Sequence, residues 1–239
     1  MNTTTTIPVD RDVKAALRLQ AAEMRREFAR RGTLVVNVLS SPGAGKTSLL
    51  EATAGHWRNR HRMAVLVGDL ATDRDAQRLA PFCPVEQLTT GGACHLEIPL
   101  VKRGLEKLGS HDFEFLFIEN VGNLVCPASH DLAEHLRIVL LSVTEGDDKP
   151  GKYPQMFRTS DATVISKDDL HPHVPFSVEN AVADAHVIQP ELRGFSVCSL
   201  TGEGIAGWCR FLEETRERII AEPALPDAAI PPASEPLTT

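Results

Sequence analysis

The residues with the most chemistry to offer form one run, Ser40-Ser41-Pro42-Gly43-Ala44-Gly45-Lys46-Thr47-Ser48, in a chain of 239 residues. Gly43 and Gly45 allow backbone N–H groups to turn inward around an anion, and a helix opening at Lys46 adds the positive end of its dipole. Ala44 and Ser48 complete that cradle. Lys46 is placed to reach β- and γ-phosphates, and the Thr47 hydroxyl to coordinate Mg²⁺. Hydrolysis of a bound triphosphate needs carboxylates as well, for the metal and the attacking water. Asp69 and Glu119 each end a short apolar run, as such carboxylates do when they sit at strand ends, and Asp75 stands in reserve. The expected catalytic set is Lys46, Asp69 and Glu119; the expected Mg²⁺ set is Thr47, Asp69 and Glu119.

Residues 40–47 match the Walker A phosphate loop except that Ser40 stands at its first glycine. Glu119-Asn120-Val121-Gly122 resembles the D-x-x-G switch of GTPases, with Glu in place of Asp, so the Gly122 N–H is expected to sense the γ-phosphate. Ser166-Lys167-Asp168-Asp169 resembles the guanine-reading N-K-x-D box with Ser166 in place of Asn. Asp169 can accept from both N1–H and the 2-amino group of guanine, and adenine offers neither donor. Lys167 can lay its stem over the base. The expected nucleotides are therefore GTP and GDP. The segment Cys198-Ser199-Leu200-Thr201-Gly202-Glu203-Gly204 occupies the place of the S-A-K region but departs from each of its three letters.

Cys94-His95 and Cys126 belong to a different chemistry. Thiolate and imidazole together suit Ni²⁺ or Zn²⁺, and Gly91-Gly92 gives the backbone freedom to turn Cys94 and His95 toward one ion. His130 lies near Cys126 and could contribute to the same site, although a histidine at a helix start after Ser129 is more often a surface residue. Cys83, Cys198 and Cys209 read as small buried hydrophobes.

These residues must be positioned by a scaffold, and the pattern for one is present. Apolar runs at 34–39, 64–67, 115–118, 138–143, 162–165 and 195–198 predict buried strands, and helical periodicity fills 46–57, 96–108, 178–188 and 205–220 between them. Strands alternating with helices imply an α/β fold, a P-loop NTPase with a mostly parallel central sheet and helices on both faces. A further helix is expected from Asp10 to just before Gly32, with Arg18, Arg25, Arg26, Arg30 and Arg31 forming a solvated face. The expected organisation is an N-terminal segment and helix at 1–32, a nucleotide-binding domain at 33–221 with the metal site embedded, and a disordered tail at 222–239 rich in Pro, Ala, Ser and Thr.

Composition excludes some functions. Lys and Arg number 25 against 32 Asp and Glu, a net charge of −7, so bulk charge gives no basis for binding nucleic acid or an anionic membrane. No apolar run approaches the ~20 residues that span a bilayer. Five cysteines at irregular spacing are not a disulfide scaffold, and the expectation is a cytoplasmic protein with reduced thiols.

From about residue 33 to 208 the chain resembles the hydrogenase nickel-incorporation GTPases of the HypB type. The resemblance is carried by S-S-P-G-A-G-K-T, G-D-L-A-T, G-G-A-C-H-L-E, I-E-N-V-G-N-L-V-C-P-A, E-G-D-D-K-P-G-K-Y-P and the K-D-D box. It implies a GTPase that dimerises with GTP, works with a nickel-maturation partner protein, and helps deliver Ni²⁺ to the apo-hydrogenase large subunit. It also implies a metal site at Cys94, His95 and Cys126, and a lysine, Lys149 or else Lys152, reaching nucleotide across the dimer. Two features depart from relatives: Pro99 stands where many carry another histidine, and residues 1–32 hold neither the cysteine motif nor the histidine-rich stretch of some members. Slow turnover is expected, because no catalytic glutamine or arginine finger is evident. The sequence also leaves open a regulatory GTP switch with structural thiols. A urease-type nickel GTPase is a further alternative, although its cysteine-proline-histidine signature is replaced by Cys126-Pro127-Ala128.

Overall fold

The computed structural model describes residues 9–69, 73–109 and 112–221, so the expected tail at 222–239 and residues 70–72 of the G-D-L-A-T segment lie outside the described residues. Seven strands form one sheet: β1 (Leu34–Ser40), β2 (Met63–Asp69), β3 (Val85–Thr89), β4 (Phe115–Glu119), β5 (Leu136–Ser142), β6 (Ala162–Ser166) and β7 (Arg193–Val197). Their order is β3-β2-β4-β1-β5-β6-β7, and every neighbouring pair is parallel. All seven residues of β1 are buried, as a strand covered on both faces requires. Register places Val38 and Val67 opposite Glu119 in β4, so the carboxyl ends of β1, β2 and β4 share one edge of the sheet.

Among the described residues eight α-helices accompany the strands: α1 (Val9–Arg30), α2 (Lys46–Trp57), α3 (Arg74–Leu79), α4 (Ile98–Leu108), α5 (Lys149–Lys152), α6 (Pro154–Arg158), α7 (Val178–Ile188) and α8 (Ile205–Ala221). Parallel strands need such crossovers, and the side-chain alternation of each strand serves both layers at once. Leu34, Val36 and Val38 pack with Leu49, Leu50 and Trp57 of α2 and Trp208 of α8. On the opposite face, Val35, Leu116 and Ile118 pack with Phe28 of α1 and Val101 of α4, while Leu39 and Val139 meet Met156 and Phe157 of α6. Trp57 is fully buried and stacks on Phe115 with ring centroids 4.2 Å apart. Truncating it to alanine would cost about 3–5 kcal/mol by the usual cost of emptying an aromatic core position.

The strand expectations held for six strands, with ends shifted by a residue or two. β3 was not expected, because Val85-Glu86-Gln87-Leu88-Thr89 has no apolar run: it is an edge strand in which only Leu88 is fully buried. The arginine face of α1 also needs correction. Arg25 is not solvated; its guanidinium bonds the Asp131 carboxylate and, at 2.7 Å, the Glu134 carbonyl. Among the described residues no helix is long and apolar enough to cross a membrane.

Candidate nucleotide and metal site

The loop after β1 is shaped by left-handed backbone at Gly43 (φ 76°) and Gly45 (φ 99°), conformations that favour glycine. No side chain caps α2, so its opening N–H groups face the loop without a competing side-chain acceptor, the arrangement of an anion site. Lys46 donates to Ser40 Oγ at 3.1 Å, and Ser40 in turn donates to the Ser41 carbonyl at 2.6 Å. The residue at the first glycine position of the motif thus holds Lys46 inside the loop. Burial pulls the Lys46 pKa down, and Glu119, Asp75 and Asp69 pull it back up.

Thr47 donates to Glu119 Oε1 at 2.7 Å. Burial pushes the Glu119 carboxyl up to about 7, against the opposing pull of Lys46 and Thr47. Its second oxygen, Oε2, is buried with no hydrogen-bond partner among the described residues. A buried, orphaned carboxylate oxygen beside a hydroxyl is a donor set suited to a hard divalent cation, and Thr47 and Glu119 present it. Asp69 ends β2, where its carbonyl accepts from the Thr90 N–H at 3.2 Å. Arg78 was not anticipated from the sequence: from α3 it donates to Ser48 Oγ at 3.1 Å and pairs with Glu51, tying α3 to the start of α2.

The base-reading segment closes on the same loop. Ser166 Oγ donates to the Ala44 carbonyl at 2.6 Å, and Lys167, itself in left-handed backbone, donates from Nζ to the Gly43 carbonyl at 2.8 Å. Serine therefore reaches the loop despite being shorter than asparagine. Asp169 Oδ1 accepts from the Cys198 thiol at 3.1 Å, and Cys198 Sγ accepts from the Thr201 N–H at 3.4 Å. Cys198 is buried, as expected, yet it is more than a small hydrophobe, because it steers the carboxylate that would read guanine.

At the end of β4 the chain passes directly from one chemistry to the other. Asn120 donates to Asn37 Oδ1 at 3.2 Å, and its own Oδ1 accepts from the Val121 N–H at 3.0 Å. A Cβ on Gly122 would lie 2.9 Å from Pro42 Cα, so only glycine lets this segment pack on the phosphate loop. Four residues later a short 3₁₀ turn, Cys126–Ser129, begins. The ligand atoms of Cys94, His95 and Cys126 lie within 4.8 Å of one another. A hydrogen bond with Cys126 holds the Cys94 thiol above its ordinary pKa. The glycine pair before them adopts φ 65° and 103°, the turn that brings Cys94 and His95 to Cys126.

His130 is not a detached surface residue. Its ring stacks on His95 with centroids 3.8 Å apart, and its Nδ1 meets the Cys126 carbonyl at 2.9 Å. Arg137 donates to the Ala128 and His130 carbonyls at 2.9 and 2.7 Å and pairs with the buried Glu134 at 2.8 Å, so the metal segment is clamped to β5. Lys149 pairs with Glu145 at 3.4 Å and lies 5.2 Å over the Tyr153 ring, while Lys152 is held by Asp148. Both lysines thus have partners on their own segment.

Comparison with known proteins finds relatives over most of the chain. Residues 34–195 match the family model described as CobW/HypB/UreG, nucleotide-binding domain. The hydrogenase maturation factor HypB of Azotobacter chroococcum mcd 1 is 43% identical over 212 residues, 88% of this chain and 69% of that protein. The crystal structure of HypB from Helicobacter pylori in complex with nickel superposes with a TM-score of 0.81 at 40% identity, covering 85% of this chain and 96% of that one. HypB from Archaeoglobus fulgidus gives 0.78 at 36% identity, covering 84% and 99%.

Proposed function

The chain belongs to the CobW/HypB/UreG nucleotide-binding family, and from that membership we propose that it is a GTP-hydrolysing nickel metallochaperone that assists Ni²⁺ insertion into apo-[NiFe]-hydrogenase. One observation carries the reading: β4 runs from a carboxylate bonded to the phosphate loop, through a glycine packed on that loop, into a metal cysteine. The same stretch of backbone would feel both the nucleotide and the metal.

In this scheme Lys46 and the opening N–H groups of α2 hold the β- and γ-phosphates, Asp169 reads guanine, and Ser166 and Lys167 keep the loop closed beneath the base. Thr47, Asp69 and Glu119 would hold Mg²⁺, which when bound supplies positive charge to the phosphates. Asp69 and Glu119 also orient the attacking water. With no catalytic glutamine or arginine finger evident in the sequence, intrinsic turnover is slow. GTP fixes residues 119–122, the following residues through Cys126 move with them, and two protomers close with Cys94, His95 and Cys126 at the seam. Val125, 63% exposed beside Cys126, is an apolar contact suited to that seam. Lys149, released from Glu145, would reach the partner's nucleotide, with Lys152 the less favoured choice. The cargo is Ni²⁺, with Zn²⁺ a competitor for the same thiolate and imidazole donors. The further partners are a nickel-maturation protein and the apo-hydrogenase large subunit, met in the cytoplasm.

Calorimetric titration with GTP, ATP and Ni²⁺ tests this reading. The expected result is one GTP site, at least tenfold weaker ATP binding, and stoichiometric Ni²⁺ whose affinity Cys126→Ala lowers at least tenfold. A protein that binds GTP but takes no stoichiometric metal would be a plain regulatory switch.

A further inference from the structure

The Cys94, His95 and Cys126 set uses only one side of the His95 ring. Its Nδ1 faces Cys94 Sγ at 3.7 Å, whereas Nε2 faces away, toward Glu97 Oε1 at 3.4 Å. Over the face of the same ring lies His130, the two ring centroids 3.8 Å apart. The ligand atoms of His95, Glu97 and His130 also lie within 4.8 Å of one another, the same limit that the thiolate set meets.

The hydrogen bonding of His130 leaves one ring nitrogen free to bind a metal. Against a carbonyl oxygen, Nδ1 must be the donor, so the Nδ1–H···O=C bond to Cys126 leaves the lone pair on Nε2. Histidines that bind metal characteristically donate their other ring nitrogen to a backbone carbonyl or carboxylate, which fixes tautomer and orientation. Here the accepting carbonyl belongs to Cys126, a residue of the neighbouring set, so the two donor sets are joined through one peptide unit as well as through His95.

We propose that His95, Glu97 and His130 form a second divalent-cation site, built of imidazole and carboxylate, that receives Ni²⁺ before the thiolates take it. A neutral imidazole has one lone pair, so His95 serves one set at a time. When Nε2 binds the ion, Nδ1 carries the hydrogen; when Nδ1 binds it, Nε2 carries the hydrogen and can donate it to Glu97. Nitrogen and oxygen donors suit a borderline ion arriving hydrated, and the softer thiolates hold it afterwards. The inference rests on the metal-carrying reading of the thiolate set.

The test uses the full chain, with Ni²⁺ alone as the probe. Removal of both thiols in Cys94→Ala/Cys126→Ala is expected to leave one weaker Ni²⁺ site without thiolate-to-nickel charge-transfer absorption. Adding His130→Phe, which keeps a ring against His95 but supplies no ligand, should weaken that residual binding at least tenfold. Glu97→Gln, on the exposed rim where folding is not at stake, should weaken it several-fold. A double variant that binds no Ni²⁺, or one whose binding is untouched by both His130→Phe and Glu97→Gln, overturns the proposal. Wild-type protein without thiolate-to-nickel absorption would instead strike down the carrier reading, a separate outcome read from a separate sample.

Discussion

Thr47 and Glu119, 72 positions apart in the chain, share a buried hydrogen bond of 2.7 Å. Thr47 opens the helix after the phosphate loop, and Glu119 ends the strand that leads to Cys126. Any ligand that changes what Thr47 holds therefore acts at the first residue of the path toward Cys126.

Gly122 is the next point on that path. In Gly122→Ala the new Cβ meets Pro42 Cα at 2.9 Å, and a backbone atom cannot swing aside as a flexible side chain can. Steady-state GTP hydrolysis should fall at least tenfold, while GDP affinity, measured by fluorescence titration, changes far less. Wild-type turnover in this variant would remove Gly122 from the coupling.

Ser166 and Asp169 should fail differently. Ser166→Ala leaves the Ala44 carbonyl without its buried donor, a loss of about 1–2 kcal/mol, so GTP and GDP should both bind roughly five- to thirtyfold more weakly. The preference for GTP over ATP stays. Asp169→Ala should collapse that preference, as competition titrations with both nucleotides would register.

Cys198 is expected to act on a bound base through Asp169. Cys198→Ala removes the thiol that bonds Asp169 Oδ1 at 3.1 Å, and the freed carboxylate should raise the KM for GTP several-fold with kcat nearly unchanged. Cys198→Ser keeps a donor in place and should restore KM. An alanine variant with unaltered KM would make the thiol a packing group only.

What could be read in advance follows physical range. The phosphate loop and the base-reading box are contiguous signals carried by strand, turn and helix, and part of the thiolate set is contiguous too, as Cys94-His95 directly after Gly91-Gly92-Ala93. β3 left no such mark, since a half-buried edge strand needs few apolar residues. The stacking of His130 on His95, the thiol bond of Cys198 and the seating of Arg25 against Asp131 join residues 35, 29 and 106 positions apart. Such pairings exist only after the sheet has assembled, and no local periodicity announces them.

His135 supplies a pH dependence. Its Nδ1 accepts from the Val35 N–H and its Nε2–H donates to the Arg25 carbonyl, each at 3.0 Å, so the seat of α1 requires the neutral ring. Burial pushes its pKa down to about 4, from the ordinary 6.5, while the bond to the Arg25 carbonyl and the Glu134 charge oppose the shift and the Arg25 guanidinium adds to it. The unfolded chain takes up this proton first. The contribution is therefore complete above pH 6.5 and lost as pH falls toward 4, a change of about 3 kcal/mol at about 1.4 kcal/mol per unit. Urea unfolding of wild type and His135→Gln across that window should show the variant less stable at neutral pH but with a shallower decline. Parallel curves would refute the assignment.

The coupling of nucleotide to metal is tested most directly by equilibrium dialysis of tag-free protein against Ni²⁺, with GDP in one chamber series and a non-hydrolysable GTP analogue in the other. A ligand shifts an equilibrium only by its differential affinity for the two states, so coupling requires the Ni²⁺ Kd to differ between the series, by fivefold or more. The expected result is such a difference, abolished in Cys126→Ala. Stoichiometric Ni²⁺ binding with the same Kd in both series would contradict it.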